Sequence, residues 1–134
     1  MLPEKLTDKH ILVVDNDRAI LELIGIVLRD AGYSVSLSSN ESEVLNLINR
    51  LQPDAIILDV FRPTHEGTEL CRLLKEAEST ANIPVIVLST HPKIAKVKEI
   101  CADEVLSKPF DIDGLLDVIS EKLSGESQQK GLNA

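Results

Sequence analysis

The chain alternates between short, continuous apolar runs and longer segments in which apolar residues recur every three or four positions. Residues 11–14, 55–58 and 85–88 are apolar throughout. Such runs are typical of strands covered on both faces, as in a parallel sheet. The segment Ser34–Ser38 alternates polar and apolar residues and predicts a strand near a sheet edge, and residues 104–106 predict a weaker fifth strand.

The segments between these runs have a helical period. Their apolar stripes predict four amphipathic helices. The stripes consist of Ile20, Leu23, Ile24, Val27 and Ala31, of Val44, Leu47, Ile48 and Leu51, of Leu70, Leu73, Leu74 and Ala77, and of Leu115, Leu116, Ile119 and Leu123. Residues 94–100 predict a shorter and weaker helix between the fourth and fifth strands.

Strands and helices therefore alternate five times, in the order (βα)₅. Strict alternation with short connections implies one five-stranded parallel sheet with right-handed crossovers and helices on both faces. The predicted fold class is α/β, a doubly wound three-layer sandwich. We expect a lead-in over residues 1–8, one domain over residues 9–124 and a flexible polar tail over residues 125–134.

Composition narrows the class of protein. The length of 134 residues fits one domain of ordinary size. The formal net charge of −8 argues against a nucleic-acid surface, because phosphate binding draws its affinity from clustered Lys and Arg. No apolar run approaches the roughly 18 residues of a membrane span, and the N-terminal residues lack a secretory pattern. These features predict a cytoplasmic protein with no membrane insertion and no direct nucleic-acid partner.

The two cysteines, Cys71 and Cys101, both lie in segments with a helical apolar period. Their spacing matches no metal-binding motif, so we expect buried thiols rather than a disulfide or a pair of metal ligands. The sequence therefore predicts no redox chemistry.

Polar residues follow four of the predicted strands. Doubly wound sheets bind ligands outside the carboxyl ends of their strands, so chemistry is expected at these positions. They hold Asp15, Asn16 and Asp17 after the first strand, Asp59 after the third, Ser89 and Thr90 after the fourth, and Lys108 and Pro109 after the fifth. Gathered carboxylates repel one another unless a hard cation or an ammonium balances them. With Mg²⁺ and Lys108 as that charge, the set describes an aspartyl-phosphate site centred on Asp59.

Taken singly, these residues are ambiguous. An Asp after a strand is often a helix cap, and a Lys-Pro pair is often a surface turn, so only the combination predicts a site. His65 and His91 fall in loops near it, and we interpret both as solvated loop histidines without a functional role.

Four motifs resemble the receiver domain of two-component response regulators of the chemotaxis-regulator type, over about residues 9–124. The motifs are Ile-Leu-Val-Val-Asp15, Asp59 with Pro63 and Gly67, Val-Leu-Ser89-Thr90, and Lys108-Pro109-Phe110. The resemblance implies a flavodoxin-like fold. It also implies a phosphoryl acceptor and switch rather than an enzyme, in which Asp59 takes the phosphoryl group from a histidine kinase or phosphotransfer protein.

The resemblance further implies a set of site residues and partners. Lys108 and Ser89 would sense the phosphate, and Thr90 and Pro109 would lie beside it. The implied ligands of Mg²⁺ are Asp15, Asn16, Asp59 and the backbone carbonyl of Phe61. The signal would pass to an unknown downstream protein, and a homodimer through the face of the fourth and fifth helices is a further expectation.

Three features depart from the family pattern. Asn16 occupies the position of the second of two consecutive acids, so the metal site loses a formal charge. Val105 stands where a Tyr or Phe commonly reports phosphorylation, and Thr90 stands where a small residue is usual. The stretch from Ser89 to Lys108 is shorter than usual by about one helical turn, and it contains the weak fourth helix.

Three other classes of protein share part of this pattern. A pseudo-receiver would keep the fold as an interaction module and would have lost phosphorylation because of Asn16 and Val105. A phosphatase of the haloacid-dehalogenase type would use Asp15 and Asp17 as its paired acids, but it leaves Asp59 unexplained. A flavin carrier shares the fold, but the acidic loop after the first strand is wrong for cradling a phosphate.

Overall fold

The computed structural model describes residues 9–59, 68–91 and 93–133, and its centre is a sheet of five parallel strands. The strands are β1 (His10–Val14), β2 (Ser34–Ser38), β3 (Ala55–Asp59), β4 (Val85–Ser89) and β5 (Glu104–Ser107). Their order across the sheet is β2-β1-β3-β4-β5, and every neighbouring pair is parallel. The predicted α/β class and the doubly wound, five-stranded parallel sheet are confirmed.

Five helices connect and follow the strands. They are α1 (Arg18–Asp30), α2 (Val44–Leu51), α3 (Glu69–Glu76), α4 (Ala95–Ile100) and α5 (Ile112–Asn133), with a 3₁₀ turn (Glu41–Glu43) before α2. Among the described residues, no helix is long and apolar enough to cross a membrane.

The continuous apolar runs follow from a core on each face of the sheet, because successive strand residues point to opposite faces. Ile11 and Val13 pack with buried residues of α1 and α5. Leu12 and Val14 pack with buried residues of α2, α3 and α4. The two apolar layers therefore hold the sheet between them, and only the strand ends are left for polar chemistry.

The predicted apolar stripe of α1 is only partly buried, because Ile24 is fully buried and Ile20 packs against the core, but other predicted residues do not face it. The buried residues of α1 are Leu21, Ile24, Gly25 and Leu28, whereas Leu23 is 45% exposed. The segment has apolar residues on several sides of the helix, so a helical period fits more than one face. Contact with the sheet, which the period does not contain, selects the face that is buried.

Helix α5 continues to Asn133, past Leu123, the last residue of its predicted apolar stripe. The sequence predicts no helix in this polar segment. A helix that is already nucleated gains one hydrogen bond for each added residue, so it can extend without an apolar face. The proposed boundaries of the domain and its tail stay predictions.

The expectation of free thiols is wrong. Cys71 of α3 and Cys101, directly after α4, form a disulfide, and their Cα atoms are 5.7 Å apart. Both residues belong to the apolar layer of α2, α3 and α4. The sequence does not reveal the pair because 30 positions separate the cysteines, and their approach depends on how α3 and α4 pack.

Truncation at the centre of the sheet should show how strongly the fold depends on its two layers. Ile57 is fully buried in β3, between β1 and β4. Ile57→Ala should lower the free energy of unfolding by about 3–4 kcal/mol, because it removes buried methyl groups and leaves a cavity. The matched control Ile26→Ala, at a residue 65% exposed on α1, should change it by less than about 0.5 kcal/mol. Equal effects in urea unfolding would contradict this packing.

Candidate functional site

The parallel register brings the polar residues of four strands to one edge of the sheet. Asp59 is the last residue of β3 and Ser89 the last residue of β4, while Asp15 follows β1 and Lys108 follows β5. Carboxyl ends of parallel strands meet at the same edge, where doubly wound sheets bind their ligands. A cleft of about 180 Å³ opens there, lined by Asp15, Asn16, Asp17, Asp59, Ser89, Thr90 and Lys108.

The ammonium of Lys108 lies between two carboxylates. Its Nζ donates to Oδ1 of Asp59 at 3.0 Å and to Oδ2 of Asp15 at 3.1 Å. The side chain of Lys108 is only 15% exposed, that of Asp59 17% and that of Asp15 2%. The backbone N–H of Lys108 also donates to the carbonyl of Ser89 at 2.7 Å, which fixes where the side chain begins.

The two acids after β1 are held by the start of α1. Oδ1 of Asp15 accepts from the backbone N–H of Asp17 at 2.9 Å. Oδ1 of Asp17 accepts from the backbone N–H groups of Ala19 and Ile20 at 3.0 and 3.3 Å. Asp17 is therefore the N-cap of α1, and its carboxylate is committed to the helix.

Ser89 is buried, and its hydroxyl oxygen accepts from the backbone N–H of His91 at 3.1 Å. Nδ1 of His91 in turn accepts from the backbone N–H of Lys93 at 3.1 Å, so this histidine shapes the loop that leads to α4. Thr90 lies at the mouth of the cleft and is exposed. The loop thus places one buried and one exposed hydroxyl beside Asp59.

Some of the predicted residues cannot be located. Phe61, Pro63, His65 and Gly67 lie outside the described residues. Pro109 follows Lys108 through a cis peptide bond. Of the described part of the chain, the seven residues that line the cleft are all among those named from the sequence. The sequence did not reveal that Lys108 contacts Asp15 as well as Asp59, since that contact depends on how far the Lys108 side chain reaches across the edge of the sheet.

The electrostatics of the cleft follow from these contacts. Burial raises the pKa of Asp59 and the charge of Asp15 raises it further, so the hydrogen bond from Lys108 compensates only in part. Burial alone would lower the pKa of Lys108, but hydrogen bonds to Asp59 and Asp15 outweigh it and the pKa is raised. Lys108 gains two anionic partners, whereas Asp59 gains one cation and faces a second anion. The charged form of Lys108 is therefore stabilised in the folded protein, whereas the charged form of Asp59 is destabilised.

Comparison with known proteins identifies the family. The profile of the response regulator receiver domain matches residues 11–120. The chain belongs to the response regulator receiver family. This assignment argues against the phosphatase alternative, and so does Asp17, whose carboxylate caps α1. The pseudo-receiver alternative stays open because it has the same fold and the same family.

Relatives extend the receiver assignment. The response regulator MprA of Mycobacterium sp. (strain KMS) is 36% identical over 125 residues, which cover 91% of this chain and 54% of MprA. The chain therefore spans about half the length of the curated relatives it matches. The chemotaxis response regulator CheY4 of Vibrio cholerae has a TM-score of 0.76 and 28% identity, with 87% of this chain and 100% of CheY4 covered. Both comparisons place this chain in two-component signalling.

A third comparison supports the fold alone. The receiver domain of the sensor histidine kinase PA1611 from Pseudomonas aeruginosa PAO1 has a TM-score of 0.77 and 22% identity. The aligned region covers 88% of this chain and 99% of that domain. That structure has a magnesium ion coordinated in its active-site cleft.

The raised pKa of Asp59 predicts that replacing this residue changes the stability of the fold in a pH-dependent way. A raised pKa means that folding disfavours the charged form of Asp59, so this destabilisation is full above the folded pKa. This destabilisation disappears as the pH falls below 3.8, the ordinary pKa of an aspartate side chain, because Asp59 is then protonated in both the folded and the unfolded state. In chelator at pH 7, Asp59→Asn should therefore raise the free energy of unfolding, by on the order of 1 kcal/mol or less.

The control for this measurement is Asp117→Asn, which removes an exposed carboxylate of α5. Urea unfolding at pH 7 and near pH 3.5 should show a gain for Asp59→Asn that shrinks at the lower pH, with little change in the control at either. A loss of stability at pH 7 in Asp59→Asn would mean that the ion pair with Lys108 outweighs burial.

Proposed function

We propose that this chain is a phosphorylatable receiver in which Asp59 accepts a phosphoryl group from a histidine kinase or phosphotransfer protein. One observation carries the proposal. Oδ1 of Asp59 is held by Lys108, whereas Oδ2 accepts no hydrogen bond from the residues that the structure describes. A carboxylate fixed through one oxygen at the mouth of a polar cleft leaves its second oxygen for attack on phosphorus.

The step is an exchange of bonds at phosphorus. An oxygen of Asp59 forms the new O–P bond while the N–P bond of a phosphohistidine breaks, and the leaving imidazole takes a proton from solvent. Charge spread over the phosphoryl oxygens would meet the ammonium of Lys108 and the hydroxyls of Ser89 and Thr90. Stabilisation by such fixed donors is the main contribution a protein makes to phosphoryl transfer.

The donor set of the cleft suits Mg²⁺ only in part. Asp15, Asn16 and Asp59 offer the oxygen ligands that this cation prefers. Within the described ranges, no group of three His, Cys, Asp or Glu side chains could hold a metal. This finding agrees with the presence of Asn16. Of the three proposed side-chain ligands, only Asp15 and Asp59 are carboxylates, and both of them contact Lys108. When bound, the metal would neutralise charge on the phosphoryl oxygens, and the carbonyl of Phe61 is a proposed further ligand.

The proposed switch acts through protein contacts. We infer a histidine kinase or phosphotransfer protein as the donor and a protein as the receiver of the signal. A homodimer through α4 and α5 is part of the proposal, because the family resemblance assigns that face to output. A cytoplasmic location also remains a prediction.

A pseudo-receiver is the second candidate, and two positions favour it. Asn16 removes a charge from the metal site, and Val105 of β5 replaces the aromatic side chain expected there. Val105 is partly buried against the layer of α2, α3 and α4. Valine has no aromatic ring that could move between the core and the surface.

Phosphorylation can be tested by intact mass. With acetyl phosphate and Mg²⁺, the wild-type chain should gain one phosphoryl group and Asp59→Asn should gain none. The matched control is Asp54→Asn, because Oδ2 of Asp54 accepts from the backbone N–H of His10 at the opposite edge of the sheet. That variant should still be phosphorylated. A phosphoryl adduct on Asp59→Asn would refute the assignment, and an unmodified wild type would favour the pseudo-receiver.

Restoring the missing charge should change metal binding. Asn16→Asp should tighten Mg²⁺ binding by about tenfold, because ligand charge largely sets affinity for hard cations. Without metal it should lower the free energy of unfolding by on the order of 1 kcal/mol, since a further carboxylate enters a cleft lined by Asp15, Asp17 and Asp59 and by the one ammonium of Lys108. The variant should therefore gain more stability than wild type from added Mg²⁺.

Calorimetric titrations with Mg²⁺ and thermal melts in chelator would measure both effects. Asn46→Asp on the exposed side of α2 is the control, because it adds the same charge away from the cleft. Equal or weaker affinity for Mg²⁺ in Asn16→Asp would show that residue 16 does not face the metal.

A further inference from the structure

Two links join α3 to the connection between α4 and β5. The first is the disulfide between Cys71 and Cys101. The second is ionic, because Nζ of Lys75 lies 2.8 Å from Oδ2 of Asp103. Cys71 and Lys75 are one helical turn apart on the same side of α3, and their partners are two residues apart in the connection. The covalent and ionic links therefore run side by side.

The ionic link is anchored in the sheet. Oδ2 of Asp103 also accepts from the backbone N–H of Val85 at 2.7 Å. The backbone N–H of Asp103 donates to the carbonyl of Val85 at 2.9 Å. Asp103 is therefore held to the start of β4 by backbone as well as side-chain contacts, and it stays in place whether or not the cysteines are joined.

Helix α4 has few local interactions that stabilise it. It has only six residues and no side-chain hydrogen bond at its N-cap. The N–H groups of Cys101 and Ala102 both donate to the carbonyl of Val97 at 2.9 Å and close its last turn. A helix of this length is marginal unless tertiary contacts hold it. The disulfide formed by its C-cap residue, Cys101, is one of these tertiary contacts, and it is covalent.

We propose that Cys71 and Cys101 form a reversible redox pair that controls the mobility of α4. As a disulfide, the pair fixes the end of α4 to α3. As two thiols, it leaves that end to hydrogen bonds and to the Lys75–Asp103 ion pair. This inference does not depend on phosphorylation of Asp59.

The exchange balances with a small disulfide such as glutathione disulfide as the oxidant. The Cys101 thiolate attacks one glutathione sulfur, so a mixed disulfide forms and one glutathione thiolate leaves. The Cys71 thiolate then attacks the sulfur of Cys101, the protein disulfide forms, and the second glutathione thiolate leaves. The protein loses two electrons and two protons, and the glutathione disulfide takes them up.

The order of attack follows from exposure. Cys71 is fully buried, whereas Cys101 is 7% exposed and lies at the end of a short helix. Local opening of the last turn of α4 therefore uncovers Cys101 first. Reduction runs through the same opening in reverse, with a small thiol attacking Cys101.

Single-cysteine variants test this chemistry in the full chain. After incubation of the reduced, folded protein with glutathione disulfide, wild type should lose both titratable thiols and remain a monomer. Cys71→Ser should accumulate one glutathionyl adduct on Cys101, and Cys101→Ser should stay unmodified. Thiols that persist in wild type, or equal modification of the two variants, would overturn the proposal. Failure of reduced glutathione to restore both thiols in the folded protein would refute reversibility.

Hydrogen exchange tests the effect on α4. In the reduced protein, the amides of Cys101 and Ala102 should exchange at least about tenfold faster than in the oxidised protein. The amide of Ala31 is the internal reference, because it closes the end of α1 on the other face of the sheet through the carbonyl of Val27. Its rate should not change. Equal rates at Cys101 and Ala102 in both states would refute control of α4.

Removal of the ionic link separates the two contributions. Lys75→Met should accelerate exchange at Cys101 and Ala102 strongly in the reduced protein and weakly in the oxidised protein, where the disulfide still holds the turn. Lys96→Met, on the exposed side of α4, is the matched control and should behave as wild type. Equal acceleration by Lys75→Met in both redox states would show that the two links act independently and would overturn their shared role.

Discussion

The ammonium of Lys108 lies between the carboxylates of Asp15 and Asp59, and the arrangement of the cleft depends on this contact. Both acids are largely removed from water, so their repulsion would be strong without a cation between them. The sheet determines that the cation is present. The order β1-β3-β4-β5 brings the two acids and the end of β5 to one edge, and the bond from the Lys108 N–H to the Ser89 carbonyl positions the lysine.

This balance of charge explains why Asn16 matters. Asp15, Asp59 and Lys108 together keep one net negative charge, and Asp17 in the lining adds a second, so the ammonium offsets only part of the acidic charge before any ligand enters. A phosphoryl group would add negative charge, and a divalent cation would offset it. With Asn16 in place, the protein supplies less of the attraction for the cation, and a bound phosphoryl group supplies more. Metal and phosphoryl group would then stabilise each other's binding more than in a cleft with Asp in place of Asn16.

The sequence predicted the strands and the cleft better than it predicted contacts between helices. Apolar runs such as residues 11–14 mark strands covered on both faces, and the parallel register follows from the alternation of elements. For α1 the period was ambiguous, because residues such as Leu21 and Leu23 lie on different sides and are both apolar. The pair of Cys71 and Cys101 depends on the packing of α3 against α4, which no local pattern records. The residues of the cleft could be predicted because the strand topology fixes their positions at one edge of the sheet.

The segment from Ser89 to Lys108 connects the cleft to the cysteine pair. It leaves the cleft at Ser89, forms α4, reaches Cys101 and Asp103, and returns through β5 to Lys108, whose N–H bonds the Ser89 carbonyl at 2.7 Å. The proposed ligand of the cleft would contact the two ends of this segment, whereas the disulfide holds its middle. Two inputs couple only if both favour the same arrangement of a shared element, and α4 is an element that both would constrain. The thiol state would therefore change how much of a rearrangement at Lys108 and Ser89 reaches the surface of α4.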